Sequence, residues 1–325
     1  MRARIALALL AIVFVVAGCE SSAAPAPVTV TPVEVLPSGT QPVTSAPDPV
    51  STDCDPEASL RPGPLPSPGA MPQGSPMAAI AERGRLVVGV DQNTYFFGSR
   101  NPASGQPEGF DIDLAREIAR AIFGDPNRIQ FRVVDATQRE SFLQKGLVDL
   151  VVRTYTITCD RKQKVDFSTV YYTAHQRILA VKGSGIDSPA ALSGKRVCAV
   201  SGTTSLSRLY ELNPRPTLLG VSTWTDCLVL LQQGQVDAIS TDDVVLKGLE
   251  KQDPTVDVVG PDMSVEPYGV GVKKENDDLV RFVNGVLERI RHDGTWERLY
   301  DAHLQSLGPS PGPPAAKYQD SPWPC

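Results

Sequence analysis

The sequence predicts an α/β fold with parallel sheets, and three observations carry that prediction. Short apolar runs rich in β-branched residues recur from Leu86 onward, as buried parallel strands require. Amphipathic stretches separate them, giving the order strand, helix, strand, helix, strand. The pattern then restarts after Tyr172, so the motif is written twice.

The elements follow in order. Leu86-Val87-Val88-Gly89-Val90 is a buried strand ending at Asp91, and Asp91 to Phe97 is a loop mixing polar and aromatic groups. Gly109-Phe110-Asp111 opens a helix with Ile112, Ala115, Ile118, Ala119 and Ile122 on one face, closed by Gly124. Phe131 to Val134 is the next strand, a short helix carries Phe142 and Leu143, and Leu147 to Val152 is a third strand. In the second round, Ile178 to Val181 is extended, Ser188 to Leu192 a short helix, and Arg196 to Val200 a strand running into Ser201-Gly202-Thr203-Thr204-Ser205 and a helix. A helix over Thr225 to Gln233, a strand over Val236 to Ile239, and strands at Val258-Val259 and Tyr268 to Val272 come next. Leu279, Phe282, Val283, Val286, Leu287 and Ile290 stripe a closing helix, and a shorter one surrounds Trp296 and Tyr300.

Composition bounds the rest. A net charge of −6 with no basic block argues against a nucleic-acid partner. Arg2 and Arg4 precede an uncharged run from Ile5 to Val16, too short to span a bilayer comfortably but right for a signal peptide. It ends in Val16-Ala17-Gly18-Cys19, similar to the lipobox of bacterial lipoproteins, which implies cleavage after residue 18 and lipidation of Cys19. Residues 19–76 are Pro/Ser-rich with few large apolar side chains, and residues 309–325 are alike, so both read as disordered, the first as a tether. His175, His292 and His303 are scattered, without metal-ligand spacing, and no metal or cofactor is expected.

Chemistry gathers at strand ends, where ligands bind in open α/β sheets. After the strand ending at Val152 come Arg153, Thr154, Thr156, Thr158 and Arg161. Hydroxyls followed by a guanidinium suit a small carboxylate, because Arg offers a planar fork to two oxygens. A surface pair between Arg161 and a neighbouring Asp is the competing reading. The turn at 201–205 places backbone N–H groups and a helix N-terminus where an anion would be favoured. An acid in Ser240-Thr241-Asp242-Asp243 can receive an ammonium.

These motifs, together with GFDIDLA at 109–115, GKRVCAVSGTTS at 194–205, QVDAISTDD at 235–243, EPYGVGVKK and DGTWERLYDAHL, resemble the extracytoplasmic amino-acid-binding proteins of ABC importers. The resemblance covers about residues 80 to 305. It implies the periplasmic-binding-protein type II fold, two α/β lobes joined by two hinge strands, with lobe 1 over 77–175 and 266–308 and lobe 2 over 176–265. It implies further that Arg161 grips a ligand α-carboxylate, helped by Thr156, by main-chain groups at Thr154 and by the turn around Gly202 and Thr204. Asp242 would take the α-ammonium, and Asp91 would face the ligand amine or side chain. An aromatic common in the family is Ala136 here, so Phe96 or Phe97 is the candidate for stacking, with a core role as the other reading for Phe97.

Arg153 is a second cation at the site's mouth, which favours a glutamate or aspartate ligand, or asparagine, over glutamine; exposure to solvent or pairing with Asp149 is the other reading. In an oxidising compartment Cys198–Cys227 is the preferred disulfide, since both residues fall in one lobe. Cys54–Cys159 is the second pairing and Cys54–Cys325 its competitor. The expected product is a monomeric, lipid-anchored binding protein at the outer face of the cell membrane, not an enzyme. It would hand a free amino acid to ABC importer permease subunits or report it to a membrane sensor protein. A dehydratase on the same fold is the remaining rival.

Overall fold

The computed structural model describes residues 35–48, 50 and 54–320. The expected signal peptide, Cys19 and Cys325 lie outside the described residues. In chain order the elements are β1 (Gln41–Pro42), β2 (Ala58–Leu60), α1 (Pro76–Arg83), β3 (Leu86–Val90), β4 (Asn93–Thr94), β5 (Gly98–Arg100), β6 (Pro107–Glu108), α2 (Phe110–Phe123), β7 (Ile129–Val133), α3 (Arg139–Gln144), β8 (Leu150–Val151), α4 (Cys159–Lys164) and β9 (Val165–Phe167). There follow β10 (Tyr172–Val181), β11 (Arg196–Val200), α5 (Thr204–Glu211), β12 (Thr217–Val221), α6 (Trp224–Gln232), β13 (Ala238–Asp242), α7 (Asp243–Gln252), β14 (Val256–Tyr268), β15 (Gly271–Lys273), α8 (Asp277–His292), α9 (Thr295–His303) and β16 (Lys317–Gln319).

Two sheets organise them. The first has the order β7-β3-β8-β15-β9, with β3 parallel to β7 and β8, and β15 antiparallel to β8 and β9. The second has the order β1-β12-β11-β13-β10-β14, parallel across β12, β11 and β13 and antiparallel beyond. We call these sheets with their helices the first and second halves. The chain passes between them along β10 and β14, paired from Tyr172↔Tyr268 to Val181↔Val256. At that crossing Tyr171 N–H donates to Tyr268 O and Ile157 N–H to Pro267 O, which ties the ligand-strand region to the crossover.

Local sequence explains why these elements form. Leu86, Val88 and Val90 are buried, in one core cluster with the α2 stripe of Ile112, Leu114, Ala115, Ile118 and Ile122. Gly124 ends α2 in the left-handed region at φ 74°, a conformation glycine adopts without penalty. Cys198 of β11 is disulfide-bonded to Cys227 of α6, inside the second half. Cys54 is bonded to Cys159 at the start of α4.

Several expectations need correcting. Within 54–76 and 309–320 the chain is ordered rather than a loose tether and tail. β2 and β16 pair in parallel, Lys162 Nζ donates to the carbonyls of Asp55 and Ala58, and Arg291 donates to Pro314 O. A disorder signature weighs the segment's own apolar content and misses partners supplied by the folded body. The expected strand from Tyr268 to Val272 is broken: β14 ends at Tyr268 and β15 starts at Gly271. The strand at 236–239 instead runs to Asp242, which therefore closes a strand rather than sitting in a loop.

Candidate functional site

Arg161 sits on the short helix α4, which the sequence did not announce. Thr158 caps that helix, its side chain accepting from the Arg161 N–H at 3.2 Å. From there the guanidinium donates from Nη1 to Thr156 O at 2.6 Å, inside the first half, and from Nη2 to Gly202 O at 3.1 Å, in the second half. Arg139, buried on α3, donates to the same Gly202 carbonyl at 2.9 Å and to Ala136 O at 3.0 Å. Both guanidiniums lie over the Tyr155 ring, at 4.1 Å for Arg139 and 4.9 Å for Arg161. Burial, and the charge of Arg161 beside it, hold Arg139 below the usual guanidinium range.

Gly202 is needed for this closeness. It stands at φ 76°, and a Cβ there would meet the Thr137 backbone at 3.1 Å. Its contribution is the carbonyl shared by two arginines. The adjoining turn carries Thr203, whose side chain caps α5 by accepting from Leu206 N–H. The first N–H groups of that helix have no intrahelical acceptors, as at any helix start. The Thr204 hydroxyl is occupied, donating to Glu266 at 2.7 Å.

Asp242 is buried at the end of β13. Its Oδ2 accepts from the Tyr268 hydroxyl, and its Oδ1 has no hydrogen-bond partner among the described residues. Burial first, then the nearby Glu266 carboxylate, push its proton affinity well above the ordinary carboxylate range. Arg139, Arg153, Thr154, Thr156, Arg161, Thr204 and Asp242 together line a narrow cavity between the halves, which Thr203, Ser205, Trp224, Thr241 and Val245 complete. A wider vestibule of about 300 Å³ adjoins it, sharing Arg139, Arg161, Thr203 and Thr204.

Thr154 occupies strained backbone, φ 37° for a non-glycine residue. Asp111 of α2 holds it there, accepting from Thr154 N–H at 2.8 Å and from the Tyr171 hydroxyl at 2.7 Å. Burial raises the Asp111 carboxyl to about 7.

Three expected roles change. Phe97 does not reach the cavity. It is fully buried, edge-on to Tyr172 at 5.1 Å and near Phe110 and Tyr268, because the loop after β3 turns back into the core as a small antiparallel sheet of β4, β5 and β6. Asp91 does not line the cavity either. Its carboxylate pairs with Arg153 at 2.9 Å and accepts from Thr94 and from the Gln92 and Asn93 amides. Arg153 is thereby neither solvated nor paired with Asp149, which binds Arg83 and the Val87 amide. Sequence reasoning missed Trp224, an aromatic wall at the start of α6. A Trp directly after a capping Thr is the one local signal that could have marked it.

A family model described as bacterial extracellular solute-binding proteins, family 3, matches residues 86–306. The chain is 39% identical over 225 residues to the ABC transporter glutamine-binding protein GlnH of Bacillus subtilis (strain 168), covering 69% of this chain and 82% of that protein. It is 32% identical over 243 residues to the glutamate-binding protein GluB of Corynebacterium glutamicum, covering 71% and 82%. Among solved structures, the cysteine-binding protein from Campylobacter jejuni superposes with a TM-score of 0.70 at 26% identity, covering 73% of this chain and 96% of the other.

Proposed function

Because the chain belongs to the bacterial extracellular solute-binding proteins, family 3, we propose that it captures a free amino acid in the cavity between its two halves and delivers it to an ABC importer. One observation carries the reading: a guanidinium from the first half, Arg161, and a buried acid with an unpartnered oxygen from the second, Asp242, line the same cavity. A zwitterion satisfies both at once, its carboxylate on Arg161 and the α5 N-terminus, its ammonium on Asp242. The kinship with binding proteins for glutamine and glutamate supports this ligand class.

The side-chain preference follows from charge. Asp91 neutralises Arg153, so the surplus cation is Arg139, buried beside Arg161 and donating to the Ala136 and Gly202 carbonyls. A distal carboxylate would compensate it, which puts glutamate and aspartate ahead of asparagine and glutamine. The proposed lobes are 77–175 with 266–308 and 176–265, closing over the ligand by rotation about the crossing strands β10 and β14. A lipid on Cys19 would hold the protein to the outer face of the membrane.

Isothermal calorimetry with the four amino acids tests the reading. Charge-assisted bonds contribute about 1.5–3 kcal/mol each, so Arg161→Ala is expected to weaken binding by on the order of 10- to 100-fold. Unchanged affinity in that variant rejects the site; tight glutamine binding without glutamate or aspartate binding rejects the preference alone.

A further inference from the structure

Residues 41–48, 50 and 54–60 precede the matched span and touch both halves of the molecule. At one end β1 pairs with β12, the neighbouring strand of the second sheet, and Val43 N–H donates to Leu218 O. At the other, Cys54 is covalently joined to Cys159, two residues before Arg161, and Ser59 donates to Phe167 O at 2.7 Å in the first half. Asp48 spans the two. Its carbonyl accepts from Ser207 of α5 at 2.8 Å, and its carboxylate pairs with Lys164 of α4 at 3.1 Å. Pro47, Asp48 and Val50 form a wall of the vestibule that also contains Arg139, Arg161 and Thr204.

We propose that this segment is a clasp across the mouth of the cleft, and that a ligand enters and leaves when Asp48 lets go of one half. The inference rests on the cavity being the amino-acid site. Its anchors differ in kind. The Lys164–Asp48 pair is exposed, with 81% of the Asp48 side chain open to water, and such pairs are weak and screened by salt. The disulfide keeps the segment close after release, so it re-engages as an intramolecular event. Because its exposed pair is weak, losing that pair changes how fast ligand exchanges far more than how tightly it is held, the affinity moving only by the pair's small contribution to keeping the halves close.

Stopped-flow fluorescence of the full-length protein, reading Trp224 in the cavity wall, measures association and dissociation rates for L-glutamate and L-glutamine. Asp48→Lys places a like charge against Lys164 at an exposed position and leaves the core untouched. It is expected to raise both rates roughly tenfold, within the span that variants of one interface usually show, with the equilibrium constant moving less than about threefold. Cys54→Ser with Cys159→Ser, checked for folding by circular dichroism, is expected to do the same. Raising salt should speed exchange in the unaltered protein, where it weakens the Asp48–Lys164 attraction, and should not speed it in Asp48→Lys, where it screens a repulsion instead. Rates unchanged in both variants, or a change confined to dissociation with a matching loss of affinity, overturn the clasp while the amino-acid site stands. If the unaltered protein binds neither amino acid, the site reading fails first and the clasp with it.

Discussion

At the scale of single residues, the site is a matter of which charges already have partners. Arg153 and Asp91 cancel each other at 2.9 Å, whereas Asp242 has a carboxylate oxygen with no donor among the described residues. Burial, then the nearby Glu266, raise the proton affinity of Asp242 above the ordinary carboxylate range. An ammonium docking beside it favours the ionised form and lowers that proton affinity. Binding then releases a proton, and affinity rises with pH through the range where free Asp242 would otherwise stay neutral. Calorimetry in two buffers of different ionisation heat reads the released proton. Asp242→Asn is expected to bind more weakly and to lose that release; the same proton count in both proteins would show that Asp242 does not meet the ammonium.

At the scale of elements, geometry is set by turns that deliver helices to strand ends. Gly109 precedes α2 at φ 130°, and a Cβ there would come within 2.3 Å of Phe97 O. That position fixes the first turn of α2, which carries Asp111 to the Thr154 amide. Gly109→Ala is therefore expected to lose about 3 kcal/mol, since it combines forbidden backbone with a backbone clash. Urea unfolding measures it, and a loss within experimental error of zero would mean the loop at Phe97 yields freely. α4 teaches the complementary lesson. Six residues rich in Lys and Arg show no apolar periodicity, so the helix was illegible until the Thr158 cap and the Cys54–Cys159 bond were seen in place.

At the scale of the whole molecule, the two halves meet through Arg139 and Arg161 on one side and Gly202 on the other. A ligand that adds bonds to both halves stabilises the state in which they are close. Small-angle scattering should accordingly give a smaller radius of gyration at saturating glutamate than without it. No change at saturation would argue for a cavity that fills without closure.

The sequence by itself determined the fold class and the strand ends where chemistry collects, and it marked Arg161 and Asp242 as candidate ligand charges. Those signals are local: β-branched runs, amphipathic periods and hydroxyls after a strand are written in neighbouring residues. Only the tertiary structure decided that Phe97 is core, that Asp91 is consumed by Arg153, that Trp224 walls the cavity, and that the leading segment is strapped to both halves. Each of these depends on a partner dozens to hundreds of residues away, and the free energy of a buried charge or a docked segment is fixed by that partner rather than by its own neighbours in the chain.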